Sequence, residues 1–385
     1  MDPTQLIGPS STLGSPAPFW FIELFKVLGF TLHMVPMNLW YSGLVVATLV
    51  YWLGGENSKR FTVRLMTQMP IIVALGVNLG IVPLLFTQVA YYQVFYPATI
   101  LMAWFWFSVV GLLMVAYYGV YIYSTALKSG KPLSALKRAV GWISALCFVV
   151  IGFLFNNAFT LMTNLEAWPA LWRASNVAGA VTGLQLNTGD PSLFPRWLLM
   201  FGIALVTLAA YTTVDAAFFA GGESQEYRAW TGRFALKLAS VGVAWYAVAA
   251  SWYVFGTWTS EPRQLMLGGP LVVLTAITAL SPGLTWLLVA AQRNGPTRVL
   301  AALTGLVQFA ALGLNAVSRQ LVQNAELGRF LDVSAAPVDI QWSPLVIFLL
   351  LFVLGLAIIF WMVAKVIEAS RAPSDPEQEL GRRQA

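Results

Sequence analysis

Residues 343–365 read SPLVIFLLLFVLGLAIIFWMVAK, and this stretch decides the class of fold. It contains no charged residue before its last one, Lys365. An α-helix needs about 20 predominantly apolar residues to cross a bilayer, so the stretch is long enough to span a membrane. Eight further apolar runs qualify, at residues 28–53, 64–88, 98–125, 139–163, 196–220, 233–257, 268–291 and 298–322. The sequence therefore predicts an all-α integral membrane protein, a bundle of about nine transmembrane helices.

The composition of the whole chain argues against a soluble protein. Of its 385 residues, 58% are hydrophobic and only 10% are charged, whereas soluble domains carry about 25% charged residues. The 16 Trp, 13 Tyr and 24 Phe suit a protein whose aromatic rings lie at membrane interfaces. The net charge of +6 is explained by basic loops, so we expect no nucleic-acid partner. The single cysteine, Cys147, excludes an internal disulfide and a CxxC metal site.

Basic residues predict how the chain is oriented. Lys and Arg are concentrated in alternate loops, in a set made of Lys59, Arg60, Arg64, Lys128, Lys131, Lys137, Arg138, Arg228, Arg233, Arg293, Arg298, Lys365, Arg371, Arg382 and Arg383. The positive-inside rule places this set, and with it the C-terminus, in the cytoplasm. Because the number of spans is odd, the N-terminus is then outside. The prediction is a multi-pass protein of a bacterial-type inner (cytoplasmic) membrane.

The ends of the chain differ in character from its middle. Residues 1–18 lack the basic region of a cleaved signal peptide and are expected to form a disordered N-terminal lead. Residues 19–367 are expected to form the transmembrane helical domain. Residues 368–385 are expected to form a polar C-terminal tail.

His33 is the only histidine of the chain and lies near the outer end of the first predicted span. Pro36 removes a backbone hydrogen bond one turn away, which predicts a bend beside the imidazole. Two interpretations are open. His33 could ligate a haem iron or hydrogen-bond a quinol, or it could be structural and bond a backbone carbonyl or Glu23. No metal site is expected apart from haem iron at His33, and no residue is assigned a catalytic role.

Polar residues within the spans suggest a path to the outer surface. In the eighth span, Gln308, Asn315 and Arg319 point within roughly 20° of one another on a helix. Together with Asn156 of the fourth span and Glu23, they form a candidate quinol or proton path. The alternative is a packing seam, ended by an arginine that reaches the interface or a carboxylate such as Glu326.

Asp215 and Lys237 lie about a turn inside the cytoplasmic ends of the fifth and sixth spans. Since consecutive helices are usually neighbours, the sequence predicts a structural ion pair between them.

Four stretches of the chain resemble subunit I of the cytochrome bd quinol oxidases. They are LHMVPMNLW at 32–40, ALGVNLGI at 74–81 with AYYQVFYP at 90–97, LMAWFWFSVVGLL at 101–113, and the pair Arg319-Gln320. The first is similar to the family's opening helix, in which a histidine ahead of a proline ligates a haem near the outer face. The second and third are similar to its second and third helices, and the Arg-Gln pair to one at the outer end of helix eight.

The chain also departs from that family's pattern. The family's low-spin haem takes a histidine from helix five, which has none here, and a methionine from helix seven, whereas Met266 precedes that helix. Thr99 and Phe107 stand in the region of the family's acidic residues on helix three, and the outer loop after span six is shortened to TSEPRQLMLGG at 259–269. The resemblance therefore implies at most one haem b, held through His33, and a bound quinone. A second axial ligand would be one of Met69, Met102, Met162 and Met200.

These observations predict a membrane-integral subunit of a respiratory electron-transfer complex, in the manner of a quinol-dependent oxidoreductase. It would interact with quinol and pass electrons to a periplasmic partner such as a c-type cytochrome. Membrane lipids and other subunits docking on the outer face are the expected partners. The alternative, from a different class, is a non-redox membrane anchor or scaffold, or a small-solute transporter. Helix-breaking residues around Asn78 and Pro83 suit the transporter.

Overall fold

A computed structural model describes residues 1–371 of the chain, and 81% of the residues are helical. The helices are α1 (Phe19–Tyr41), α2 (Gly43–Leu53), α3 (Glu56–Ala90), α4 (Tyr92–Leu101), α5 (Ala103–Lys128), α6 (Ala135–Thr163), α7 (Trp168–Ser175), α8 (Leu193–Phe218), α9 (Gln225–Thr257), α10 (Ser260–Arg263), α11 (Val272–Ala291), α12 (Arg298–Leu327) and α13 (Trp342–Arg371). Two-residue strands β1 (Asn176–Val177) and β2 (Ala180–Val181) pair antiparallel between α7 and α8. Single turns of 3₁₀-helix occupy Pro3–Leu6, Leu165–Ala167 and Val333–Ala335, and a π-helical turn occupies Gln264–Gly268.

The prediction of nine membrane-spanning helices is confirmed for the described part of the chain. Nine helical stretches there are long and apolar enough to cross a bilayer. The first consists of α1 and α2 in succession, and the others are α3, α5, α6, α8, α9, α11, α12 and the segment Trp342–Met362 of α13. The orientation of the termini stays a prediction.

Two of the predicted spans are interrupted in the structure. The first span is interrupted at Ser42, between α1 and α2, and α1 continues as a helix through Pro36. The third predicted span, 98–125, begins inside the short helix α4 and crosses a break at Met102. Apolar composition does not report such breaks, because residues on both sides of them are hydrophobic.

Helices α8 and α9 pack tightly against each other because each has a glycine at the crossing point. A Cβ on Gly202 would lie 2.7 Å from the backbone nitrogen of Tyr246, and one on Gly242 would lie 2.9 Å from that of Val206. Small residues allow membrane helices to approach to backbone contact, where van der Waals packing replaces the missing hydrophobic driving force.

The described residues fall into two compact units. One comprises Met1–Ser10 and Phe19–Ala336, and it contains the first eight spans. The other comprises Ser11–Pro18 and the chain from Pro337 onward, where Ser15 and Val338 form a parallel bridge and α13 follows. In the predicted N-terminal lead, Gly8 donates a 2.8 Å backbone hydrogen bond to the carbonyl of Gln93. Most of the predicted C-terminal tail lies outside the described residues.

Candidate functional site

His33 is held against α3 by a single hydrogen bond from its ring. Its Nδ1 lies 2.8 Å from the carbonyl oxygen of Gly76. Because a carbonyl can only accept, Nδ1 carries the proton and Nε2 presents a lone pair. Trp40 packs edge-on against the imidazole, with ring centroids 5.9 Å apart. This is the backbone-bonded arrangement that the sequence left open beside the ligand interpretation.

The glycines of the stretch ALGVNLGI make room for these rings. A Cβ on Gly80 would lie 2.7 Å from Cε1 of His33, and one on Gly76 would lie 2.2 Å from Cζ3 of Trp40. Neither position therefore admits a larger side chain without movement of an aromatic ring. The motif that resembles a known helix at the sequence level is, in the structure, the surface on which His33 rests.

A cavity of about 60 Å³, called here the first cavity, opens beside His33. Its polar wall consists of Lys26, His33, Thr87, Arg319, Gln320 and Gln323, and its apolar wall includes Phe30, Pro83, Phe155 and Phe159. Lys26 lies two turns after the start of α1 and Arg319 about two turns before the end of α12. The first cavity is thus about 10–12 Å inside the end of the bundle where α1 begins.

Arg319 lies between two aromatic rings. Its guanidinium carbon is 4.5 Å from the ring centroid of Phe30 and 4.7 Å from that of Phe159. It forms no ion pair within residues 1–371, and the predicted contact with Glu326 is not made. Glu326 instead faces Arg196, with Nη1 and Oε2 separated by 3.6 Å. The sequence-based suggestion is corrected because α8 brings Arg196, which is 93% buried, to the carboxylate first.

Glu23 belongs to a separate cluster centred on Tyr91, which is fully buried. The Tyr91 hydroxyl lies 3.1 Å from Oε1 of Glu23 and 2.7 Å from Oδ1 of Asn324, and it accepts from Nε2 of Gln320 at 2.7 Å. The amide of Asn324 also donates to Glu23. The cluster ties α1 to α12 through the residue that precedes α4.

A second cavity, of about 110 Å³, is also lined by Arg319. It brings together three of the residues predicted to form a path, Asn156, Asn315 and Arg319. Tyr253 and Trp258 add aromatic walls. Arg196 and Trp258 each have a buried nitrogen, Nη1 and Nε1, without a hydrogen-bond partner. The second cavity therefore combines apolar walls with donors that lack a hydrogen bond, although Nη1 of Arg196 keeps its 3.6 Å ion pair with Glu326.

Gln308 does not open onto either cavity. Its Oε1 accepts from Thr285 at 2.9 Å and its Nε2 donates to Thr207 at 3.0 Å. Thr207 also accepts from Asn38 at 2.9 Å, so the amide links α12 with α11, α8 and, through Thr207, α1. The predicted polar line thus divides into a sealed interhelical seam at Gln308 and a cavity wall at Asn315 and Arg319.

Comparison with known proteins identifies a solved structure that has a similar architecture. No protein-family model matches the chain, and no curated protein matches it. Among solved structures, the chain matches bd oxidase from Geobacillus thermodenitrificans with a TM-score of 0.60. The match covers 93% of this chain and 100% of that chain, at 11% sequence identity. This chain has the bd oxidase fold. The predicted resemblance to cytochrome bd subunit I is confirmed as a distant structural relationship.

Within the bd oxidase fold, the surroundings of His33 do not fit a haem. The first cavity has room for a few water molecules, whereas pockets that bury drug-sized ligands measure about 300–1,000 Å³. Gly80 lies flat against the ring, and a Cβ there would be 3.3 Å from Nε2. None of the suggested methionine ligands lines the cavity. Met69, Met102 and Met162 are fully buried in apolar clusters, and Met200 lines the second cavity.

The predicted ion pair of Asp215 with Lys237 is corrected by the structure. Asp215 is held in a bidentate pair by Arg64 of α3, with Nε–Oδ2 and Nη2–Oδ1 distances of 2.8 and 2.9 Å. The side chain of Lys237 is on an exposed face of α9. Consecutive helices do pack together here, but the two side chains leave their helices in different directions.

Several site residues were not singled out by sequence reasoning. Lys26 lies three residues after Glu23 in the sequence, a spacing that indicates an exposed helix turn and not a cavity. Tyr91 and Gln323 carry no sequence signal, since aromatic and amide residues are common near helix ends. Arg196 lies near the start of an apolar run in the sequence, and only the packing of α8 on α12 shows that it is buried.

Proposed function

We propose that the chain is a membrane subunit of a respiratory-type electron-transfer complex and that it takes a quinol headgroup in the second cavity. The observation that carries this proposal is the convergence of Asn156, Asn315 and Arg319 on one cavity in a chain with the bd oxidase fold. Ligand sites in proteins are mostly apolar with a few convergent polar groups, which describes this cavity.

The unsatisfied groups of the second cavity suit a quinone. The buried donors of Arg196 and Trp258 supply hydrogen bonds to a ring oxygen, and Tyr253 and Met266 supply apolar contact. Oxidation of a quinol releases electrons and protons in equal number. In this proposal the electrons pass to a redox partner docked at the N-terminal end of the bundle, which we take to be a c-type cytochrome. Glu326, next to Arg196, accepts a proton and water takes the other.

The proposal includes no haem in this chain, because the side chains around His33 leave no room for one. The purified protein should show no Soret band in either the oxidised or the reduced state. A Soret band that disappears in His33→Ala would assign a haem to His33 after all. If no Soret band is found, His33 has the structural role given by its bond to Gly76.

Quinone binding tests the proposal directly. Asn315→Leu removes a polar wall of the second cavity, and a short-chain quinone should bind at least about tenfold more weakly, the value of one lost hydrogen bond. Asn78→Leu is the matched control, since that amide is exposed and bonds only its own helix at Ala74. Quenching of tryptophan fluorescence by the quinone measures both. Equal affinity in the wild type and Asn315→Leu would contradict the proposal.

A second candidate, a non-redox anchor or scaffold subunit, is favoured by the tight surroundings of His33. In this second candidate, the chain has the bd oxidase fold but takes no part in redox chemistry. Wild-type protein that binds no quinone and shows no Soret band, yet copurifies with other membrane subunits, would select this candidate.

A further inference from the structure

Three side chains that line the first cavity carry hydrogen-bond donors for which the described residues supply no acceptor. Lys26 is 93% buried, and its Nζ has no hydrogen-bond partner. Gln323 is 98% buried, and its Nε2 is likewise without a partner. Arg319 lines the same cavity and forms neither a hydrogen bond nor an ion pair with any residue in the range 1–371. These three donors come from two helices, α1 and α12, and meet at one small space.

Nearby carboxylates do not neutralise these cations. Glu23 is three residues before Lys26, but the two do not form an ion pair, and Oε1 of Glu23 is engaged by Asn324. The ammonium of Lys26 lies instead over the ring of Tyr91, 4.1 Å from its centroid. Glu326 faces Arg196. An aromatic face offsets only part of the cost of burying a cation in a membrane span.

Among the described residues, no carboxylate therefore forms an ion pair with buried Lys26 or with partly buried Arg319. Arginine keeps its charge at any physiological pH, so the cavity is cationic whatever the state of the lysine. A buried charge without a counter-ion is strongly destabilising, and an intramembrane ionisable group usually marks a functional site. An anion from outside the chain would satisfy all three donors at once.

We propose that the first cavity binds a small carboxylate anion, held by Lys26, Arg319 and Gln323. The guanidinium fork matches two carboxylate oxygens, and a lysine adds a point charge from the other side. The cavity volume of about 60 Å³ admits a group of a few heavy atoms, such as formate or acetate. It excludes a quinone ring and a haem. The apolar wall of Phe155 and Phe159 accommodates a short alkyl end.

This inference goes beyond the proposed function, since the anion is neither an electron donor nor an acceptor. The two sites share Arg319, which lines both cavities. Lys26 and Gln323 line the first cavity only, so variants of these residues separate the two proposals.

The test is stabilisation by defined anions. Purified wild-type protein in detergent is heated in potassium formate, acetate or chloride at equal ionic strength. Formate and acetate should raise the unfolding temperature in a saturable way. Lys26→Gln and Gln323→Leu should each weaken the apparent affinity at least about tenfold, the value of a charge-assisted hydrogen bond. Lys131→Gln, at an exposed lysine in the loop after α5, is the matched control and should behave like the wild type.

The stability of each variant without added anion is a second readout, which separates a loss of anion binding from a defect in folding. Without added anion, Lys26→Gln should be at least as stable as the wild type, since it removes an unpaired buried charge. An equal shift with all three salts, or the same carboxylate affinity in Lys26→Gln as in the wild type, would overturn the proposal. Native mass spectrometry tests the remaining alternative, that the bound anion is a lipid. A bound anionic lipid that is lost in Lys26→Gln would replace the small carboxylate as the ligand.

Discussion

The pair Arg64–Asp215 should be among the strongest polar contributions to the stability of the bundle. The two side chains are 21% and 8% exposed, and both oxygens of the carboxylate are engaged. In Arg64→Gln, the carboxylate keeps only Gln68, whose Nε2 is 3.5 Å away. Removing one partner of a buried pair costs about 3–5 kcal/mol. Because the side chain of Arg64 is only partly buried, we expect a loss near the lower limit, about 3 kcal/mol.

Substitution of the carboxylate partner should lower the free energy of unfolding by less than substitution of the arginine does. In Asp215→Asn, the guanidinium of Arg64 still has Glu223, with Nη1 and Oε1 3.5 Å apart. The amide also keeps one acceptor oxygen, so we expect a loss of about 1–2 kcal/mol. Lys237→Gln is the matched control. Its side chain is exposed, and the change should stay within about 0.5 kcal/mol.

Unfolding of the purified variants by a denaturing detergent, followed by circular dichroism, measures these differences. A double-mutant cycle on Arg64→Gln and Asp215→Asn should give a coupling energy of about 1–3 kcal/mol. If Lys237→Gln destabilises the protein as much as Arg64→Gln does, the assignment of the partner of Asp215 is wrong. If neither substitution at the pair changes stability, the pair contributes nothing and the reasoning from burial fails.

Three further predictions follow from the close contacts and the charge pattern. Gly80→Ala places a Cβ 2.7 Å from the imidazole of His33, so the single histidine resonance in the NMR spectrum of the protein should shift; an unchanged resonance would contradict this contact. Gly242→Leu should cost at least about 2 kcal/mol by overpacking the α8–α9 crossing, measured by thermal unfolding, with wild-type stability as the opposing result. Cysteines introduced for topology should be labelled by an impermeant reagent in intact cells at Asp190 and not at Lys131; the reverse pattern would invert the orientation.

Much of the fold follows from the sequence because a bilayer imposes a simple rule. Every backbone polar group in the hydrocarbon needs an internal partner, so long apolar runs become helices. That rule predicts nine spans without any knowledge of their neighbours. It does not predict the interruption at Ser42 or the short helix α4, because breaks that other helices cover leave no trace in hydropathy.

For the candidate site as well, the sequence predicts some features and only the structure shows the others. Sequence alone singled out His33, Asn156, Asn315 and Arg319, because polar groups are rare in apolar spans and helical spacing shows which of them share a face. It could not pair them. Which carboxylate meets Arg64, and which cations are left without one, depends on the rotation and depth of helices distant in the chain. Those are set by packing contacts such as Gly202 on Tyr246, which composition does not encode. Local periodicity therefore determined the elements, and only the tertiary structure decided the partners.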